Sequence, residues 1–279
     1  MNVVLYGSVI IKTMKRTILI SLFLLFSAVA FAQNDSYPAD YAKSPRFKAL
    51  IYYTTNAETD HVLFAEKAVE YFKRLTYGDG FYLDVTTEFK YTLEQLMEYD
   101  ILIMLNASPV GEMRPVFEKY MENGGGWLGF HSSGYNDRST NWPWYNDFLG
   151  VSYFLCNNWP AQSALLCIEN PNHEITKNIP SEFVSAPTEF YQFEPNPKMK
   201  QHLEVLVSLS QKNYPIGIKD VVKWGEWPVV WTNTKYRMIY FNMGHSEESF
   251  MSETQNLLML NCFRWVLSQD KKGDPFKKQ

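Results

Sequence analysis

Cysteine is scarce in this sequence. There are three in 279 residues, Cys156, Cys167 and Cys262, with no C-x-x-C pair and no zinc-ribbon spacing. That excludes a disulfide scaffold and a cysteine-built metal module. The three are expected as small buried residues, with a Cys156–Cys167 disulfide as the alternative. The sequence has no G-x-S-x-G elbow, no H-E-x-x-H and no P-loop, so the serine-hydrolase, zincin and nucleotide-triphosphatase signatures are missing. No 20–50-residue repeat is present, which excludes a solenoid or a propeller. Before the last few residues there is no basic run, and the formal net charge is −4. Nucleic acid and anionic membrane are therefore not expected as partners. Beyond the N-terminal region no stretch reaches the ~18 uninterrupted apolar residues of a membrane span.

What the N-terminus does hold is an export pattern. Lys12, Lys15 and Arg16 precede an apolar run from Thr17 to Val29, and Ala30-Phe31-Ala32 is an A-x-A cleavage site. Residues 1–32 read as a secretory signal peptide, with Met14 as an alternative start. No cysteine follows the run, so a lipid anchor is not expected. Cleavage removes three basic and no acidic residues, which takes the net charge from −4 to −7. The expectation is a soluble periplasmic protein with an exposed leader over 33–47, a single domain over 48–270 and a disordered tail over 271–279.

Apolar patterning organises that domain. Lys48 to Thr55 reads as a strand, His61 to Leu75 has helical spacing, and Phe81 to Phe89 returns to a strand. Leu93 to Glu98 is a short helix. Asp100 to Asn106 (DILIMLN) is a continuous apolar run, as a parallel strand covered on both faces requires. Glu112 to Asn123 is a helix ended by three glycines, and Trp127 to Phe130 is the next strand. Such alternation predicts an α/β fold with a parallel sheet between helical layers. The second half reads as an antiparallel extension, with short strands at Ser163–Glu169, Leu203–Leu209, Pro215–Lys219, Pro228–Thr232 and Met238–Met243. Ser252-Glu253-Thr254-Gln255 is a capping-box spelling that opens a final amphipathic helix.

Ligands of open α/β sheets bind beyond the carboxyl ends of the strands. Two of the five histidines stand at such ends. His131 follows GWLGF, and His245 follows MIYFNMG. Glu189 lies among Ala186, Pro187, Phe190 and Tyr191, where desolvation would raise its pKa and suit it to proton transfer. The loop tryptophans Trp142 and Trp144 could stack on a sugar face, or fill the core. Each histidine taken singly is also open to a purely structural reading.

Five segments in order carry a resemblance: GGGWLGFHSS (124–133), NWPWYNDFLG (141–150), NPNHEITKNIP (170–180), TEFY (188–191) and PVVWTNTKYRMIYFNMGHSEESF (228–250). Together they resemble the trehalose-utilisation, ThuA-like family. The resemblance implies a class I glutamine-amidotransferase-like fold, a flavodoxin-like three-layer sandwich, mostly parallel with an antiparallel extension. It sets His131 where that superfamily carries its nucleophilic cysteine, which excludes thiol-based glutamine hydrolysis. His245-Ser246-Glu247 resembles the superfamily's His-x-Glu motif. It also implies a role with disaccharides or their 3-keto derivatives. Family members commonly carry a His-Pro pair near Cys156-Asn157-Asn158-Trp159-Pro160, where this chain has no histidine.

Three functions stay open at this level, all with a small-molecule sugar as partner. One is acid–base catalysis by His131, His245 and Glu189, with Ser132, Asn141, Trp142, Trp144, Tyr191 and Glu247 about the sugar. Another is a metal-dependent hydrolase with His131, His245 and Glu189 as ligands of a divalent ion such as zinc. The third is a non-catalytic carbohydrate-binding protein.

Overall fold

The structure, a computed structural model, describes residues 47–218 and 222–269. The expected signal peptide, residues 33–46 of the leader and the expected tail lie outside the described residues. In chain order the elements are β1 (Lys48–Tyr53), α1 (Thr59–Asp79), β2 (Tyr82–Thr86), α2 (Leu93–Leu96), β3 (Ile101–Leu105), α3 (Met113–Glu122), β4 (Gly126–Phe130), α4 (Pro143–Leu149), β5 (Tyr153–Cys156), β6 (Leu165–Ile168), β7 (Glu182–Val184), β8 (Gln192–Glu194), β9 (Leu203–Leu209), β10 (Pro228–Asn233), β11 (Arg237–Phe241) and α5 (Glu253–Ser268).

Nine strands form one sheet in the order β2-β1-β3-β4-β11-β10-β9-β6-β7, and β5 pairs with β8 apart from it. The first five are mutually parallel, and the remaining four are antiparallel. β3 shows why the parallel half is three layers thick. All five of its residues are buried. Ile101, Ile103 and Leu105 pack with Phe64 and Phe72 of α1 and Phe263 of α5. Leu102 and Met104 point the other way, into a cluster with Phe117, Tyr120, Tyr145 and Phe148 of α3 and α4. Alternate residues face opposite sides of a strand, so a strand apolar at every position needs a helical layer on both.

Several local expectations shift. Phe47, assigned from sequence to the leader, is buried and stacked on Phe81 at 4.8 Å. Pro215 to Ile218 forms no strand; a proline has no N–H for the ladder, and Gly217 has a φ of 76°. The pieces β5, β7 and β8, three or four residues each, carry too little periodicity to be read from sequence. Cys262 is buried as expected, whereas Cys156 and Cys167 are half-buried. They lie on separate sheets and form no disulfide. The capping box at the start of α5 half-forms. The Ser252 hydroxyl accepts from the Gln255 N–H at 3.3 Å. The Gln255 side chain instead accepts from the Ala186 N–H and donates to the Ser249 carbonyl, which ties two loops to α5.

Candidate functional site

The parallel half has the flavodoxin-like strand order, with β1 and β3 side by side and their connections leaving in opposite directions. A crevice opens beyond the carboxyl ends at such a switch point. Four adjacent strands deliver side chains there. His61 lies in the first turn of α1, after β1; Asn106 follows β3; His131 follows β4; Gly244 and His245 follow β11. Two of the delivering turns are strained. His131 has a φ of 44° and Asn106 a φ of 52°, in the left-handed region that non-glycine residues seldom occupy. His131 thus sits on a sharp strand-to-helix elbow, at the head of a 3₁₀ turn over His131–Gly134. Gly244, with a φ of 143°, makes the corresponding turn before His245; a Cβ there would meet the Phe64 ring at 2.9 Å.

The three imidazoles converge. One ring nitrogen from each of His61, His131 and His245 lies within 4.8 Å of the other two. His61 Nε2 is 3.1 Å from His245 Nδ1. All three side chains are buried, His131 completely. His131 Nδ1 is 2.9 Å from the carbonyl oxygen of Asn242, and because a carbonyl only accepts, Nδ1 carries the proton and donates. Its Nε2 then holds a lone pair, and that atom is buried with no hydrogen-bond partner. The Tyr191 ring lies against His131 with centroids 4.1 Å apart, and the Asn242 side chain holds Tyr191 by its backbone N–H and carbonyl.

Electrostatics keep these rings neutral. Burial, then the neighbouring His245, lowers the His61 pKa to about 4, against a smaller opposing pull from Glu58 and Asp60. Burial pushes His131 well below the ordinary value, His61 and His245 add to this, and the bond to Asn242 opposes it. His245 is also lowered by burial, with Asp60 and Glu58 opposing. One of the two facing nitrogens of His61 and His245 carries the proton of their 3.1 Å bond; with that proton released, three neutral imidazoles would offer the nitrogen donor set of a borderline metal ion. Zinc–imidazole bonds of about 2.0–2.1 Å put tetrahedral ligand atoms about 3.3 Å apart. The 3.1 Å His61–His245 pair is close to that spacing, and the orphaned His131 Nε2 is the third nitrogen available to the set. The residues present therefore fit a metal, with Asn242 as the outer partner that fixes the tautomer of His131.

Of the residues expected from sequence, Glu189 is mostly buried, its Oε2 3.7 Å from His245 Nδ1. Ser132 is half-buried, and both its N–H and its hydroxyl donate to Asn106 Oδ1. Glu247 is exposed on the turn after His245; the carboxylates that stand beside His245 are Glu189 and Asp60, the latter 3.6 Å from Nε2. Asn141 is exposed. The tryptophans are placed elsewhere than at the imidazoles. Trp142 is buried, stacked on Tyr145 at 4.4 Å, and donates to Glu118. Trp144 donates to Glu122 and packs on Tyr236, at the amino end of β11, whereas His245 leaves the carboxyl end. His61, Asn106, Asp60 and Asn242 escaped the sequence reading. For His61 one signal existed: it opens the first helix after the first strand, and that connection reaches the same sheet edge.

A cavity of about 720 Å³ lies at the opposite, amino end of the strands, beside Asp100, Gly124 and Arg237. The Arg237 guanidinium there donates to the backbone carbonyls of Gly124, Asp100 and Val266. It serves as a structural staple, so volume alone does not identify the chemical site.

A family model described as trehalose utilisation, ThuA, matches residues 48–266. A ThuA-like protein of Bacteroides uniformis ATCC 8492 is 59% identical, with 87% of this chain and 100% of that chain aligned at a TM-score of 0.82. A ThuA-like protein of Parabacteroides merdae ATCC 43184 is 17% identical over 85% of this chain and 93% of that one, with a TM-score of 0.57. The β-galactosidase of Bacillus circulans sp. alkalophilus shares the fold, at 11% identity over 84% of this chain and 32% of that one, with a TM-score of 0.51. No functionally curated protein matches. The chain belongs to the ThuA family, and its fold is the expected flavodoxin-like α/β sandwich, mostly parallel with an antiparallel extension.

Proposed function

We propose that this ThuA-family chain is a carbohydrate-active enzyme built on a divalent-metal centre, with His61, His131 and His245 as ligands and Glu189 as the acid–base group. The observation that carries the reading is the convergence of three buried, neutral imidazoles, one of them with an orphaned nitrogen. This set revises the smaller His131–His245–Glu189 set of the sequence, since His61 meets His245 more closely than Glu189 does. A bare imidazole acid–base pair is less well supported: with every ring held on the neutral side, none is an imidazolium that could serve as the general acid near pH 7.

The substrate class rests on the family's description as trehalose utilisation. In a 3-keto disaccharide the carbons flanking the carbonyl bear acidified protons. Glu189 takes such a proton and returns it to the same carbon for exchange; for isomerisation it returns it to the former carbonyl carbon while the hydroxyl proton of the first carbon passes to the former carbonyl oxygen, which becomes the new hydroxyl. A bound metal would act as a Lewis acid on the sugar oxygens. Glu58, Asp60 and Glu189 lend the rim negative charge, which favours neutral sugars over phosphorylated ones. The export pattern of residues 1–32 supports a periplasmic setting.

Metal-supplemented purification should give about one equivalent of a zinc-class ion, and less than about 0.1 equivalent rejects the centre. In D2O the enzyme should place deuterium beside the carbonyl of a 3-keto disaccharide. Glu189→Gln should slow this about 10²–10⁴-fold with metal content intact. Exchange at the wild-type rate in that variant removes Glu189 from the mechanism.

A further inference from the structure

We infer that Asn106 is a positioning residue: a single buried amide that holds all three histidine-bearing segments in register at the sheet edge. The inference rests on the metal-centre reading for its consequence, though not for its geometry. The Asn106 side-chain NH2 donates to the carbonyl of His61 at 3.3 Å and to the carbonyl of Gly244, the residue before His245, at 2.9 Å. Its Oδ1 accepts from the Ser132 N–H at 3.1 Å and the Ser132 hydroxyl at 3.2 Å, one residue beyond His131. Both donors and the acceptor of the amide are therefore engaged. Each of the three segments gives it one backbone group, and each of those groups is within one residue of an imidazole.

The position is shaped for this task. Asn106 ends β3, the strand between β1 and β4, so it stands at the centre of the edge its partners surround. Its φ of 52° turns the side chain across the strand ends, and asparagine tolerates that conformation better than most residues. Three of the four bonds run to backbone, so the segments are fixed whatever the imidazoles themselves are doing. Rigid support of ligand loops is what separates a tight metal site from a loose one.

The test uses Asn106→Gly, since glycine accepts the positive φ without strain and only the amide is lost. Asn106→Ser is the gentler variant if glycine impairs folding. The control is Asn233→Ala. Asn233 is an equally buried amide that ties the carbonyls of Asp147 and Phe148 at the other end of the sheet. Two readouts are taken: Co²⁺ affinity by competition titration, and carbethoxylation of each histidine in metal-free protein, mapped by mass spectrometry. The expected result is a Co²⁺ Kd about 10–100-fold weaker in the Asn106 variants and new reactivity at His61, His131 and His245, with neither change in Asn233→Ala. Wild-type affinity and wild-type histidine protection in folded Asn106 variants would overturn the inference, as would equal changes in the control. If the wild-type protein binds no Co²⁺, the metal-centre reading fails, while the carbethoxylation pattern still decides the role of Asn106.

Discussion

His131 concentrates the physical demands of the site in one residue. It is wholly buried, held at a positive φ, stacked on Tyr191, and bonded through Nδ1 to a backbone carbonyl, yet its second nitrogen has no partner. A purely structural histidine would satisfy both nitrogens, because an orphaned buried polar atom is destabilising by about 1–3 kcal/mol. The same burial makes the cluster acid-sensitive. The folded-state pKa of His61 lies near 4, below the ordinary 6.5, so the unfolded chain binds protons first as pH falls. Metal-free protein should therefore keep its full stability above about pH 6.5 and lose it progressively down to about pH 4. His61 alone accounts for at most about 3 kcal/mol of this, reduced by solvent screening. Urea titrations across that range measure it, and a flat profile would contradict the neutral, buried cluster.

At the scale of the element, β4 depends on its glycine. Gly129 lies between Trp127 and the His131 elbow, and a Cβ there would sit 1.9 Å from the Trp127 ring and 2.7 Å from Ser133 Oγ. Strand and elbow are thus packed as one unit, with the indole filling the space that a side chain would need. Gly129→Ala should be destabilising by about 1–3 kcal/mol or more through overpacking, and should lower metal content by displacing the turn that carries His131. Thermal melting and metal analysis of the same preparation test both effects. Loss of stability with full metal occupancy would show that strand and elbow are mechanically independent.

For the molecule as a whole, the scaffold and the metal site are separable. Two large apolar clusters, one on each face of the sheet, are complete without any ligand. The metal should therefore add stability by mass action to a chain that is already folded. Free Zn²⁺ at about 100-fold above its Kd should raise stability by about 2.7 kcal/mol, or roughly 5–10 °C in melting temperature. His131→Ala should abolish that metal-dependent rise while leaving a cooperative transition. Differential scanning calorimetry with and without Zn²⁺ is the measurement, and a chain unfolded without metal would refute the separation.

Sequence alone determined the parallel half of the fold, because a run such as DILIMLN can only be covered on both faces and because the strand–helix alternation leaves few topologies. It also placed His131 and His245 at strand ends, where the apolar runs GWLGF and MIYFNMG stop. It did not reveal the short strands β5, β7 and β8, which are held by their neighbours rather than by their own periodicity. Nor did it reveal that Trp142 packs on α3 and Tyr145, or that Trp144 packs on Tyr236 at the amino end of β11. The tertiary structure decided the chemistry. Neighbours in the series His61, Asn106, His131 and His245 are 25 to 114 positions apart along the chain, and the four come together only when β1, β3, β4 and β11 lie side by side. A metal site needs lone pairs to meet at a point, and that depends on strand order and backbone turns that local sequence patterns do not encode.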